Sequence, residues 1–260
     1  MNTTGSTATP APRPRAVARG YPPVTTALVG INAAVFVMML LSGVSLDSPT
    51  IGDLLKWGAD WGPLSLGSQP WRILTSNYVH VGIIHIGLNM WVLWNLGSLA
   101  ERIFDRWTYV LTYTACGIGG SLASLWWHPL VYGAGASGAI FGLAGALITA
   151  LYLGKLPIPK EAVRGTMKSL IAFAGYNLLF GAVGSRIDNS AHVGGLLTGL
   201  ALGAVLAKHL TDSSEIRARW NWSVFVLTAV ILFMLFNSLK RANRDLPSLP
   251  AASVIRPFAG

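Results

Sequence analysis

Residues 107–154 read WTYVLTYTACGIGGSLASLWWHPLVYGAGASGAIFGLAGALITALYLG, 48 positions without one Asp, Glu, Lys or Arg. A helix that crosses a bilayer needs about 20 predominantly apolar residues, so this run holds two crossings and a turn between them. The flanking sequence repeats the pattern. Charge-free stretches at Gly20–Leu46, Ile73–Ala100, Ser169–Ser185, Asn189–Ala207 and Trp220–Leu239 each have the length of one crossing. Seven spans result, near 25–45, 75–98, 107–127, 137–154, 167–185, 190–208 and 221–239. The runs are continuous and do not alternate, which indicates helices and not a barrel. The expected class is an all-α polytopic membrane protein.

Composition agrees. Of 260 residues, 52% are hydrophobic and 11% charged, where a soluble domain carries about 25% charged residues. The net charge of +9 does not signal nucleic acid, because the 19 Lys and Arg are dispersed between apolar blocks. A single cysteine, Cys116, excludes an internal disulfide framework and a Cys-based metal site; its small, apolar neighbours give it a packing role. Residues 1–24 are rich in Pro, Thr and Ala without apolar period and read as a disordered tail. Residues 240–260 read as a second flexible tail. The first apolar run is too long for a signal-peptide core and reads as an uncleaved helix. With the N-terminus cytoplasmic, twelve of the 19 basic residues lie inside and seven outside, as the positive-inside rule prefers. The exception is the basic stretch Lys240, Arg241, Arg244, which an odd number of spans leaves outside.

Polar groups within a span are costly and often mark function. His85 and Asn89 in span 2, Ser137 at the start of span 4 and His192 near the start of span 6 all run in from the same side of the membrane, so they share a depth. His85 and Asn89 are four apart, on one helix face. His80 either faces another neighbour or precedes the regular helix, with an interfacial histidine as the plain reading. Ser137 follows Gly133-Ala134-Gly135-Ala136 and precedes Gly138. A helix starting here puts Ser137 at an N-terminus whose free N–H groups and dipole favour negative charge; the plain reading is a helix cap. His192 precedes Gly195 and Gly199, spaced to let membrane helices pack closely, and Gly138 and Gly142 give span 4 a matching face. Ser137 and His192 can then meet. A serine hydroxyl becomes a nucleophile when a base takes its proton, and His192 is the candidate base. No intramembrane carboxylate completes a triad, and Asp188 reads as loop solvation. His85, Asn89 and the Ser137 N–H are candidate donors to an oxyanion.

These residues resemble the rhomboid family of intramembrane serine proteases. The resemblance covers about residues 25–208 and rests on His80-x4-His85-x3-Asn89, Gly135-Ala136-Ser137-Gly138 and Ala191-His192-x2-Gly195-x3-Gly199. Trp71-Arg72 and Glu101-Arg102 are similar to further family pairs. The resemblance implies a six-helix core over 25–208, with an inner loop and a seventh transmembrane helix over 209–239. It implies a Ser137–His192 dyad, an oxyanion site from His85 and Asn89, and supporting roles for His80, Gly135, Gly138, Phe141, Gly195 and Gly199. Phe141 stands where the family commonly has a tyrosine against the catalytic histidine. The fifth span and the loop Ser185–Asn189 would gate and cap the site. Substrates would be single-span membrane proteins with small residues near the cut and a helix that unwinds easily. The implied location is a bacterial inner membrane, with no metal or organic cofactor. A catalytically dead relative that escorts membrane clients and an ion pathway lined by the histidines and Asn177 are the alternative readings; Ser137→Ala separates the first, since escort would survive it.

Overall fold

The structure, a computed structural model, describes residues 21–183 and 188–246. Its regular elements are all helical: α1 (Pro23–Leu41), α2 (Ile51–Lys56), α3 (Gly62–Ser65), α4 (Arg72–Thr75), α5 (Ile83–Ile103), α6 (Arg106–Trp127), α7 (Ser137–Leu153), α8 (Lys160–Val183), α9 (Asn189–Leu206) and α10 (Ser214–Ala242). Of these, α1, α5, α9 with its 3₁₀ extension to His209, and α10 are each long and apolar enough to cross a membrane by length and composition, and α7 is a shorter apolar helix.

The boundaries differ from the sequence expectation where a local device overrides the apolar run. The α1 helix begins at Pro23, within the stretch read as tail, and stops at Leu41 because Gly43 and Val44 donate back to Leu40 and Met39, a Schellman closure of its last carbonyls. Span 2 was expected from 75, yet α5 starts at Ile83. Gly82, at φ 111°, turns the chain immediately before it, a conformation L side chains avoid. Both α8 and α10 begin ahead of the expected spans at 167 and 221, since their first turns carry charge, such as Lys160 and Glu161 or Glu215 and Arg217. The tails 1–20 and 247–260 and the loop positions 184–187 lie outside the described residues.

The centre of the bundle is α7. From Ser137 to Leu151 no residue is exposed, which suits a helix apolar on all sides. It lies against α6 and α9 along nearly its whole length, with α5 and α8 completing the wall. Small residues make this possible. A Cβ on Gly195 would fall on the Gly138 carbonyl oxygen, and one on Gly199 on that of Gly142, so the α7 and α9 backbones touch as small-residue faces permit in lipid. Helix ends are satisfied from neighbours. Glu101 of α5 accepts from the Thr25 N–H at 2.6 Å, placing a carboxylate at the N-terminus of α1, where the dipole favours it.

Between α1 and α5 the chain forms a folded platform, not a plain loop. Arg72 is buried and donates to the Leu55 and Ala59 carbonyls at 2.6 and 2.8 Å and to Gln69 at 2.7 Å. Asp60 exchanges two 2.8 Å backbone hydrogen bonds with Gly133, tying this platform to the segment that leads into α7.

Asp60 is 2% exposed and accepts from the Ser65 hydroxyl. Burial, opposed by that hydrogen bond and aided by nearby Asp188, raises its pKa from 3.8 to about 7. The folded state therefore holds a proton that the unfolded chain releases near pH 4. That stability is fully present below pH 4 and is lost as pH rises through about 7, on the order of 4 kcal/mol at most. In Asp60→Asn, which keeps an acceptor for Ser65, the unfolding temperature in detergent should stay level from pH 5 to 8 while that of the parent falls. A parallel fall in both would disprove it.

Candidate active site

Three chain segments bring the polar residues together. The first is the turn into α7. Gly135 takes φ 126° and donates to the Ser76 carbonyl at 2.9 Å. A Cβ on it would strike the His85 ring, so glycine is required both by the backbone and by the neighbour. Ala136 is the cap and Ser137 the first helical residue. Ser137 therefore lies inside the helix and not at its cap position, and its plain reading as a cap fails. Its hydroxyl lies 2.9 Å from Nε2 of His192.

The second segment is the start of α9. Asp188 caps it, accepting from the Ser190 and Ala191 N–H groups at 3.1 Å each. It also accepts from the Ser124 and Ser190 hydroxyls. It is therefore not loop solvation; it fixes the first turn of α9 to α6. His192 follows one turn later and is 8% exposed. Its ring stacks on Phe141 at 4.2 Å between centroids and 8° between planes. Phe141 in turn packs against Phe173 of α8 at 5.3 Å. Nδ1 of His192 has no partner among the described residues, while both carboxylate oxygens of Asp188 are engaged. The pair is thus a serine and a histidine without a carboxylate on the imidazole.

The third segment is the start of α5. His85 packs beside Gly135, two residues from Ser137, and accepts from the Val81 N–H at 3.3 Å. Asn89 is buried one turn on, and its amide donates to the His85 carbonyl at 2.8 Å. An amide carries two N–H donors, so one remains for another partner. His80 precedes the helix. It is fully buried, not interfacial, and its Nε2 accepts from the Ala136 N–H at 3.5 Å, with its ring 5.2 Å from that of His85. Gly138 faces Gly120 of α6 and the Ala191 carbonyl. Asp188 reads from the sequence as loop solvation, although Asp188-Asn-Ser before an apolar run is a helix-start signature that marks it as a cap. Ser124 and Phe173 were not singled out and have no local signal.

The Rhomboid domain family model matches residues 67–209, more than half of the chain and the whole of this constellation. The chain belongs to the rhomboid family. It is 37% identical over 234 residues to the rhomboid protease GluP of Bacillus subtilis, covering 90% of this chain and 44% of that protein. It is 37% identical over 159 residues to RHOMBOID-like protein 6, mitochondrial, of Arabidopsis thaliana, covering 61% and 51%. To the rhomboid protease AarA of Providencia stuartii it is 29% identical over 236 residues, covering 82% and 81%. The chain spans about half the length of the first two. Rhomboid membership and the apolar helices together make this an integral, multi-pass membrane protein.

Proposed function

We propose that this rhomboid is an intramembrane serine endopeptidase working through a Ser137–His192 dyad. The observation that carries the reading is the 2.9 Å approach of Ser137 Oγ to His192 Nε2 at the N-terminus of a buried helix. In this mechanism His192 takes the hydroxyl proton as Ser137 attacks the scissile carbonyl. The resulting oxyanion is held by the Ser137 N–H, His85 and the second amide hydrogen of Asn89, helped by the α7 dipole. His192 then protonates the leaving amine, and water repeats the sequence on the acyl-enzyme. The flat contact with Phe141 holds the imidazole plane while leaving Nε2 to the serine.

The same reading assigns residues 25–208 to a six-helix protease core and 209–239 to an inner loop and a seventh crossing. It assigns a cytoplasmic N-terminus in a bacterial inner membrane. Substrates are single-span membrane proteins whose helix unwinds near small residues. The α8 helix, whose Phe173 contacts Phe141, is the gate.

The test is cleavage of a fluorogenic single-span substrate in liposomes, with labelling of Ser137 by a fluorophosphonate. Turnover and labelling that both vanish in Ser137→Ala are expected. Turnover that survives this change would refute a serine protease. In the same assay Asn89→Ala should lower kcat by about 10²–10³, the usual cost of one oxyanion donor, with KM nearly unchanged. An effect confined to KM would remove Asn89 from the oxyanion site.

A further inference from the structure

The end of α10 is basic where the orientation argument least expects it. Lys240, Arg241 and Arg244 are exposed, and among the described residues the ion pairs are His209–Asp212 and Arg219–Glu215, both toward the other end of that helix. No described carboxylate pairs with the three cations, and Asp245, which follows Arg244, offsets one of them at most, so the helix end stays net positive.

They continue a stripe that is apolar lower down. Phe225, Thr228, Ala229, Leu232, Phe233 and Phe236 recur at helical spacing and line one side of a groove of about 490 Å³, with Ile73 of α4 and Ile118 of α6 opposite. The same face then turns polar. Further along α10, Asn237, Lys240, Arg241 and Arg244 line a second cavity of about 470 Å³ against Gly62 and Gly67 of the platform. The apolar part runs roughly 17 Å along the helix, at 1.5 Å per residue. It opens sideways, since Phe233 is 66% and Leu74 42% exposed. On a helix long and apolar enough to cross the bilayer, sideways means toward lipid.

We propose that this groove seats an anionic phospholipid, with an acyl chain between α10, α4 and α6 and the phosphate against Lys240, Arg241 and Arg244. Charge complementarity selects the headgroup, and the apolar lining of the groove selects the tail. A free phosphate would use the basic end and ignore the apolar stripe. Neutralisation by lipid also accounts for a basic stretch that stands against the positive-inside count.

The experiment is native mass spectrometry of the full chain in detergent, titrated with dioleoyl phosphatidylglycerol, dioleoyl phosphatidylcholine or inorganic phosphate. Phosphatidylglycerol should bind at least about tenfold more tightly than phosphatidylcholine. The triple change Lys240→Ser, Arg241→Ser, Arg244→Ser should abolish that preference. A charge-matched triple elsewhere, Lys155→Ser before α8 with Arg164→Ser and Lys168→Ser in its first turns, should keep it. Thr228→Trp, which fills the groove, should weaken both lipids about tenfold; Ala229→Leu serves if the larger residue unfolds the protein. Equal retention of the two lipids, a preference that survives the α10 triple, binding unmoved by groove filling, or competition by inorganic phosphate as strong as by phosphatidylglycerol would each overturn the proposal.

Discussion

Turnover of a single-span substrate should fall by on the order of 10⁴ or more in His192→Ala, and Ser137→Ala together with His192→Ala should be no worse than either alone. The reason is geometric. The hydroxyl and Nε2 stand 2.9 Å apart and act as one proton-transfer unit, and residues that act as a unit lose most of their effect at the first deletion. Kinetics of the two single variants and the double variant, on protein shown to be folded by its unfolding temperature, measure this. If the two losses multiply, the residues work independently and the dyad is wrong. Fluorophosphonate labelling of Ser137 gives a second reading, because the serine in His192→Ala has lost its base and should label far more slowly.

The second large effect is expected far from any polar group. Gly199→Val should lower the unfolding temperature and reduce turnover by at least about 10²-fold. A Cβ at this position would land on the Gly142 carbonyl oxygen, which belongs to a helix backbone and has no rotamer to escape into. The added bulk must part α7 from α9. Overpacking of this kind costs about 1–3 kcal/mol or more, and a misplacement of about 1 Å between reacting groups costs about 10²-fold in rate. Gly30→Val is the control, since nothing lies within 4 Å of a Cβ there; it should leave turnover alone. Equal effects from the two changes would mean that close packing of α7 on α9 does not set the serine–histidine distance.

Much of the architecture was readable from the chain because lipid imposes a one-dimensional rule: apolar runs of sufficient length become helices. The seven long helices among the described residues fall in the expected order. The candidate residues were legible as candidates for a related reason, since His85, Asn89, Ser137 and His192 stand out against an apolar background. What escaped was non-local. The start of α5 is fixed by Gly82 lying against the Leu46 and Asp47 carbonyls, with the Ile83 N–H donating to Leu46, and the platform before it is organised by Arg72 reaching carbonyls 13 and 17 residues away. Asp188 was misread because its partners include Ser124, 64 positions earlier, and a short polar loop looks the same whether or not it caps a helix. His80 does precede the helix, as one of its readings had it, but the interfacial reading fails for the same reason: its acceptor role depends on Ala136, brought to it by the fold.

The enclosure of α7 bears on how the protein meets membranes of different thickness. At 17 residues this helix is about 25 Å long, shorter than the roughly 30 Å hydrocarbon core of a typical bilayer. A lipid-facing helix of that length would tilt less, thin the bilayer or draw polar flanks inward as thickness changed. Because its neighbours surround it, the mismatch is borne by the outer helices, and the depth of Ser137 is referenced to protein. Thicker or thinner bilayers should then alter substrate entry past α8 before they alter the chemistry at the serine.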